Sequence, residues 1–240
     1  MNPIVLDQPP RPVEELVSFN APSSLEADQY RMLRHAVERM HQDAGHRVFG
    51  ITSAAAGDGK SVTTLNLAGS LAQSRGSRVL IICADLHRET VPQYLGINAA
   101  GSAGLADAIT CDDWQLSHVT HRLEAFNVAI VTGGNVQLRP YELLSSRRLQ
   151  ALLDEARRDY DYVLIDTPPV APLADCRLLG RWVDGFILVV AANKTPRKLL
   201  AEALRVLEPA QLLGVVFNGD DSPLSPYYGY YARPSIHGGQ

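Results

Sequence analysis

A short segment rich in glycine and alanine has the composition of a phosphate-binding loop. Residues 54–61 read Ala-Ala-Ala-Gly-Asp-Gly-Lys-Ser, between the apolar run 47–53 and a helical pattern. Glycines let backbone N–H groups converge on phosphate oxygens, and the start of the helix adds its positive end. Lys60 can reach the β- and γ-phosphates of a nucleotide, and the Ser61 hydroxyl can ligate Mg²⁺. The residues predicted to bind ATP here are Gly57, Asp58, Gly59, Lys60, Ser61 and Val62.

The loop departs from the strict phosphate-loop pattern at one position, where Ala54 stands in place of a glycine. A glycine-rich turn that simply joins a strand to a helix is the alternative interpretation. The preceding strand, the Lys-Ser pair and the following helix all coincide, which favours the phosphate loop.

Two aspartates directly follow apolar runs that have the composition of buried strands. Asp85 comes after residues 79–84, and Asp166 comes after residues 162–165. Ligands of an open parallel sheet lie beyond the carboxyl ends of its strands, so both carboxylates should face the loop. Mg²⁺ is usually held by one or two carboxylates together with waters, which makes Ser61, Asp85 and Asp166 the predicted metal ligands. Either aspartate alone could instead cap a helix or a turn.

These residues require a scaffold that brings several strand ends together. Strand-like runs alternate with helical patterns, which predicts a doubly wound, mostly parallel α/β sheet of the P-loop NTPase type. The strand-like runs are 47–53, 78–84, 127–132, 162–165, 186–191 and 212–217, and the helical patterns are 25–41, 61–74, 105–109, 141–158, 173–182 and 196–207. We expect a single domain over 25–221, an extended lead-in over 1–24, and a mobile tail over 222–240.

The overall composition argues against several other classes of protein. A formal charge of −4 over 240 residues gives no global attraction to nucleic acid or anionic lipid. The three cysteines are widely spaced, which argues against a disulfide framework or a zinc site and suits a reducing cytoplasm. The longest apolar run, 186–192, is too short to cross a bilayer, so we expect no direct membrane span.

Several of these segments together resemble the bacterial tyrosine autokinases of capsule and exopolysaccharide biosynthesis, within the P-loop group of cell-division and partitioning ATPases. The resemblance runs from about residue 28 to residue 218 and includes the loop and residues 160–169, Tyr-Asp-Tyr-Val-Leu-Ile-Asp-Thr-Pro-Pro. Residues 140–144, Pro-Tyr-Glu-Leu-Leu, are similar to another family segment. The resemblance implies phosphoryl transfer from ATP to tyrosine, with Lys60, Asp85 and Asp166 catalytic and Asp85, or else Asp166, accepting the hydroxyl proton.

The resemblance also suggests how the chain assembles and where it works. The pattern Asp28-x-x-Arg31-x-x-Arg34 resembles a helix used in the family for ring-like self-association, which implies a homo-oligomer. Asn218 is the implied adenine contact, with a turn cap as the alternative. The family implies a separate, membrane-anchored chain-length-determinant adaptor that recruits a cytoplasmic kinase to the inner face of the membrane.

Four tyrosines lie within five residues near the end of the sequence: Tyr227, Tyr228, Tyr230 and Tyr231. The prolines and the glycine around them disfavour a packed element. The cluster resembles the C-terminal tyrosine cluster of the same family, which implies that these tyrosines are the phosphoacceptors. An aromatic surface that packs against a neighbour is the alternative.

One motif departs from the family pattern at a chemically important position. Where the family has Asp-x-Asp-Leu-Arg-Arg-Pro, residues 83–89 read Cys-Ala-Asp-Leu-His-Arg-Glu, so Cys83 replaces an acid. Two alternatives therefore stay open beside the kinase: an ATP-dependent assembly switch of the partitioning kind, and a degenerate kinase that binds ATP as a scaffold. Ala55 and Ala56 stand where such switches commonly carry an additional lysine, which counts against the switch.

Overall fold

The computed structural model describes the backbone of residues 4–5 and the whole of residues 10–170, 175–207 and 211–220. The strands are β1 (Ile4–Val5), β2 (Val48–Ser53), β3 (Val79–Cys83), β4 (Thr120–Leu123), β5 (Val128–Val131), β6 (Tyr162–Asp166), β7 (Gly185–Ala191) and β8 (Leu212–Asn218). The helices are α1 (Val17–Asn20), α2 (Leu25–Ala44), α3 (Lys60–Ala72), α4 (Val91–Leu95), α5 (Leu105–Thr110), α6 (Pro140–Leu144), α7 (Arg147–Asp159), α8 (Asp175–Leu179) and α9 (Arg197–Val206).

Within the described residues, the strands form one sheet in the order β1-β4-β5-β3-β6-β2-β7-β8. All of the described pairings are parallel except that of β4 with β5. The central strands β2, β3, β6 and β7 are buried at every position, as expected where helices cover both faces of a sheet. The predicted doubly wound, mostly parallel sheet is confirmed.

Two hydrophobic clusters lie on opposite faces of the sheet and divide β3 between them. Leu80 and Ile82 belong to the cluster that includes side chains of α5, α7 and α9. Val79, Ile81 and Cys83 belong to the other cluster, with side chains of α2, α3 and α4. This alternation follows from the period of two along a strand. It places Cys83 on the same face as α3, the helix that follows the glycine loop.

The single helix predicted over 141–158 is wrong in one respect, because two helices occupy this segment. α6 ends at Leu144, and α7 begins at Arg147 after two serines. The Ser146 hydroxyl accepts a hydrogen bond from the backbone N–H of Arg148 at 3.1 Å, which is the bonding of a helix N-cap. The apolar periodicity continues through the break, so it could not show the interruption.

Part of the lead-in, expected to be extended, is instead packed against the domain. Leu16 is fully buried, and the helix α1 follows it. The backbone N–H of Ser18 donates to the Asn66 side chain at 2.9 Å, and Asn66 in turn donates to the backbone oxygen of Glu15 at 2.9 Å. Asn66 lies on α3, so these bonds fix the segment onto that helix. The nearby prolines obscured this short apolar anchor in the sequence.

The edge strand β8 contains an irregularity that sets its register. Phe186 pairs with Leu212, but Ile187 pairs with Gly214, so Leu213 is an additional residue on β8. Ala191 consequently pairs with Asn218 at the carboxyl end of the sheet. The four predicted acceptor tyrosines lie outside the described residues. Searched over those described ranges, the helices include none whose length and apolarity would suit a membrane crossing.

Candidate nucleotide site

The glycine loop joins the carboxyl end of β2 to the first turn of α3. Gly57 and Gly59 have φ values of 88° and 94°, in the left-handed region that favours glycine. A Cβ atom on Gly59 would collide with the side-chain amide of Asn218. The loop therefore needs glycine at position 59 for two reasons: its backbone conformation and the close approach of the edge strand.

Lys60 lies between the two aspartates predicted to face the loop. Its Nζ is 2.9 Å from Asp85 Oδ2 and 3.5 Å from Asp166 Oδ2. All three side chains are largely buried, with exposed fractions of 12%, 8% and 2%. Three residues from three different elements thus meet at the carboxyl edge of the sheet, as the sequence predicts.

Burial and charge act against each other at this cluster. Burial raises the pKa of Asp166 above its usual value of 3.8, although the Lys60 ammonium and the Ser61 hydroxyl oppose the rise. Burial alone would lower the pKa of Lys60, but Asp166 and Asp85 outweigh it and raise the pKa. Lys60 is consequently a firmly held cation, and Asp166 is a carboxylate whose charged form depends on that cation.

A chain of hydroxyl groups surrounds Asp166. The Ser61 hydroxyl donates to Asp166 Oδ2 at 2.8 Å, and the Thr64 hydroxyl lies 3.4 Å from Asp166 Oδ1. The Thr90 hydroxyl donates to Ser61 Oγ at 3.1 Å. The predicted metal ligands Ser61 and Asp166 are therefore in direct contact. Thr90 was not predicted from the sequence, because it lies seven residues beyond the end of β3.

Asp58 uses its carboxylate to brace the loop. Asp58 is buried, and its two oxygens accept from the backbone N–H of Ala55 and from the Thr195 hydroxyl, each at 2.8 Å. Asn218 Nδ2 donates to the backbone oxygen of Asp58 at 2.9 Å. The loop after β7 and the last residue of β8 thus hold the glycine loop from one side. Thr195 also escaped prediction, although its place shortly after an apolar strand was a usable signal.

The remaining predicted residues lie at varying distances from this centre. Val62 lies in the first turn of α3 and is partly exposed. Asp28 and Arg31 form an ion pair on α2, and Arg34 donates to the backbone oxygen of Ser70 at 3.0 Å. The described contacts of these three charged residues lie within the chain, and Arg34 connects α2 to α3.

A parallel sheet that presents a lysine and two aspartates beside such a glycine loop belongs to the P-loop class of nucleotide-binding domains. The AAA domain family matches residues 46–190, which include the loop and both aspartates. "Tyrosine-protein kinase YwqD" of Bacillus subtilis (strain 168) is 35% identical over 221 residues, covering 90% of each chain. The chain therefore belongs to the family of bacterial tyrosine-protein kinases.

Two further proteins are similar to the chain, and the first of them is a tyrosine kinase domain. The kinase domain of the Escherichia coli tyrosine kinase ETK has a TM-score of 0.79 at 26% identity, covering 88% of this chain and 82% of that one. "Succinoglycan biosynthesis transport protein ExoP" of Rhizobium meliloti (strain 1021) is 31% identical over 213 residues. That match covers 85% of this chain and 26% of ExoP.

Proposed function

We propose that the chain binds ATP with Mg²⁺ and transfers the γ-phosphoryl group to tyrosines of its own cluster at Tyr227, Tyr228, Tyr230 and Tyr231. The observation that carries this proposal is the buried Lys60, held 2.9 Å from Asp85 and 3.5 Å from Asp166 at the first turn of α3. The relative YwqD, named a tyrosine-protein kinase, supplies the reaction class. Phosphoryl transfer of this kind depends mainly on positioning and charge neutralisation.

The loop and Lys60 would bind the nucleotide phosphates. The backbone N–H groups from Gly57 to Ser61 would contact phosphate oxygens, and the amino end of α3 would add its positive partial charge. Phosphate oxygens compete with the aspartates for the Lys60 ammonium, so binding would free carboxylate oxygens. Asn218, which touches the loop beside Gly59, is the proposed neighbour of the adenine base.

The oxygen atoms around Asp166 fit the preferences of Mg²⁺. The Ser61 hydroxyl oxygen and the Asp166 carboxylate are 2.8 Å apart, and hard oxygen donors of this kind suit Mg²⁺ together with phosphate oxygens and waters. We assign Ser61, Asp85 and Asp166 as the residues that would hold it. The bound ion would neutralise charge on the transferred phosphoryl group.

We further propose a homo-oligomer that works with a membrane-anchored adaptor at the inner face of the cell membrane. Asp28, Arg31 and Arg34 on α2 are the proposed self-association residues, and a tail from one subunit would be phosphorylated by its neighbour. The name of ExoP, a succinoglycan biosynthesis transport protein, supports a role in exopolysaccharide production or export. Each added phosphate would bring close to two negative charges and alter the contacts between subunits.

Transfer of labelled phosphate from ATP tests the proposal. The full chain, with and without the cytoplasmic segment of its adaptor, should incorporate label into the tail. Lys60→Met should abolish the signal, and replacing the four cluster tyrosines by phenylalanine should remove most of it. Lys198→Met is the matched control, because this lysine is exposed on α9. Tight ATP binding without phosphotyrosine under every adaptor condition would contradict the kinase and favour an assembly switch or an ATP-binding scaffold.

A further inference from the structure

Position 83 lies beside the most deeply buried acid of the site but carries no charge. Cys83 is the register partner of Asp166 on the neighbouring strand, and it is 1% exposed. Its side chain faces α3, and the field of both Asp166 and Lys60 acts on the thiol. A side chain at this position thus borders the centre at which phosphoryl transfer is proposed.

A carboxylate reaches this point from six residues further along the chain. Burial, and then the charge of the nearby Glu89 carboxylate, raise the pKa of the Cys83 thiol well above its usual value. Glu89 Oε1 also accepts from the backbone N–H of Gly133, in the loop after β5, at 2.7 Å. Because Ile82 pairs with Val131, Gly133 lies close to the carboxyl end of β3, and this bond holds the Glu89 carboxylate at the ends of β3 and β5, near position 83.

Glu89 differs from the two aspartates in the partners that its carboxylate meets. Asp85 binds the Lys60 ammonium and accepts from the backbone N–H of Arg88 at 3.1 Å. Asp166 contacts Lys60 and the Ser61 hydroxyl. Among the described contacts, the Glu89 carboxylate accepts from a backbone amide and its charge acts on the Cys83 thiol, and both of these groups are neutral. A carboxylate bound to a lysine or a metal is a weak proton acceptor, because the neighbouring positive charge favours its ionised form.

We propose that Glu89 is the proton acceptor for the tyrosine hydroxyl, an inference that rests on the kinase activity proposed above. The hydroxyl O–H bond breaks and the proton passes to the Glu89 carboxylate. The tyrosine oxygen bonds to the γ-phosphorus, while the bond from that phosphorus to the β–γ bridging oxygen breaks and ADP leaves with the electron pair. The protonated Glu89 then returns its proton to water. In this assignment Asp85 and Asp166 would bind Lys60 and the metal and would not accept the tyrosine proton.

The test uses Glu89→Gln, which removes the basic oxygen but keeps an acceptor for the Gly133 N–H group. We expect kcat for tail phosphorylation to fall about 100-fold or more, a typical loss for a general base. The Kd for ATP, measured by equilibrium titration, should change less than about twofold because no loop contact is removed. The double variant Cys83→Asp/Glu89→Gln should recover at least a tenth of the lost kcat. Glu202→Gln, on the exposed side of α9, is the matched control.

Each possible outcome decides between the two proposals. An active wild type with an equally active Glu89→Gln variant overturns the role of Glu89 and leaves the kinase intact. Loss of ATP binding in Glu89→Gln, or a double variant that recovers nothing, shows a supporting role and also overturns it. An inactive wild type with an active Cys83→Asp variant shows that Glu89 does not replace the missing acid. Inactivity of both, with ATP bound, removes the proposed function itself.

Discussion

The aspartates at the two ends of β6 have pKa values that are shifted in opposite directions. Asp161 precedes the strand and lies 2.9 Å from Arg78, whose hydrogen bonds hold the pKa of that carboxyl below its usual value. Asp166 ends the strand, where burial raises its pKa even though Lys60 is nearby. The acid at the amino end is partly exposed and is paired with an arginine. The acid at the carboxyl end relies on a lysine that the nucleotide phosphates would also engage.

Asp184 strengthens this contrast at the amino end of the sheet. Its Oδ2 accepts from the backbone N–H groups of Arg47 and Val48 at 2.7 and 2.8 Å, and from Arg157 Nη1 at 2.8 Å. Burial opposes its ionisation, but these donors outweigh it and lower the pKa. Asp184 thereby ties the start of β7 to the start of β2 and to α7. The aspartates at the amino end of the sheet stabilise the fold. The buried Asp166 at the carboxyl end lowers the stability of the fold but forms part of the site.

The largest expected effect is a difference in the free energy of unfolding between the Asp184→Asn and Asp166→Asn variants. Asp184→Asn removes the charge that three donors share, so the free energy of unfolding should fall by about 2–3 kcal/mol. Asp166→Asn should leave that free energy unchanged or raise it, because one buried charge disappears and Asp85 still pairs with Lys60. Asp166→Asn should nevertheless abolish tail phosphorylation. Urea unfolding of the three proteins checks this, and a larger loss for Asp166→Asn than for Asp184→Asn would contradict the comparison.

The pH dependence of stability should show the same contrast with opposite signs. The folded-state pKa of Asp184 lies below the usual 3.8, so its contribution is present above that value and is lost as the pH falls through the folded pKa. The pKa of Asp166 is raised, so its contribution is greatest below 3.8 and is lost as the pH rises through the folded pKa. In urea titrations from about pH 5.5 down to about pH 2.5, the gap between wild type and Asp184→Asn should shrink, chiefly below about pH 3.8. A constant gap would argue against the assignment.

A smaller effect is expected where the carboxyl edge supports the glycine loop. Thr195→Val removes the hydroxyl that donates to Asp58 and that accepts from the backbone N–H of Ala191 at 2.9 Å. The loop loses preorganisation, and we expect the Kd for ATP to rise about tenfold, which corresponds to ~1.4 kcal/mol. Titration with a fluorescent ATP analogue measures it. Thr110→Val, at the exposed end of α5, is the control and should bind normally.

The smallest effect belongs to the exposed pair at the amino end. Arg78→Ala leaves Asp161 solvated, because the Arg78 side chain is 55% exposed and water can replace it. The free energy of unfolding should fall by at most about 1 kcal/mol, and by less at high salt because such pairs are screened. Thermal unfolding at low and high ionic strength measures both. A loss of unfolding free energy that does not depend on salt would show that Arg78 stabilises the fold by packing rather than by its ion pair with Asp161.

The sequence predicted the framework of the fold because its apolar runs are long and uninterrupted. The strands β2, β3, β6 and β7 were recognisable, since burial on both faces demands apolar residues throughout. β4 was not predicted, because it contains His121 and Arg122. It lies near one edge of the sheet, where it pairs antiparallel with β5. Such a strand gains its stability from pairing with β5, which no local pattern reveals.

The site was predictable where its residues lie at strand ends or in the loop. Lys60, Asp85 and Asp166 meet because parallel strands bring their carboxyl ends to one edge. Thr195 and Glu89 were not predicted, because each lies on a connection several residues beyond a strand end rather than directly at it. Glu89 in particular lies six residues from Cys83 along the chain, and its bond to the backbone N–H of Gly133, which holds it at the ends of β3 and β5, is a tertiary contact that no local pattern reveals.

The additional residue at Leu213 determines which side chain reaches the glycine loop. If β7 and β8 paired in continuous register from Phe186 and Leu212, Ala191 would pair with Phe217, which is 66% exposed, rather than with Asn218. Successive side chains of a strand point to opposite faces, so this one-residue offset brings an amide instead of a ring to Asp58. The offset acts about 17 Å away, five residues along the strand. Loss of this irregularity at unchanged chain length would therefore move Asn218 away from the glycine loop without changing any residue of the site.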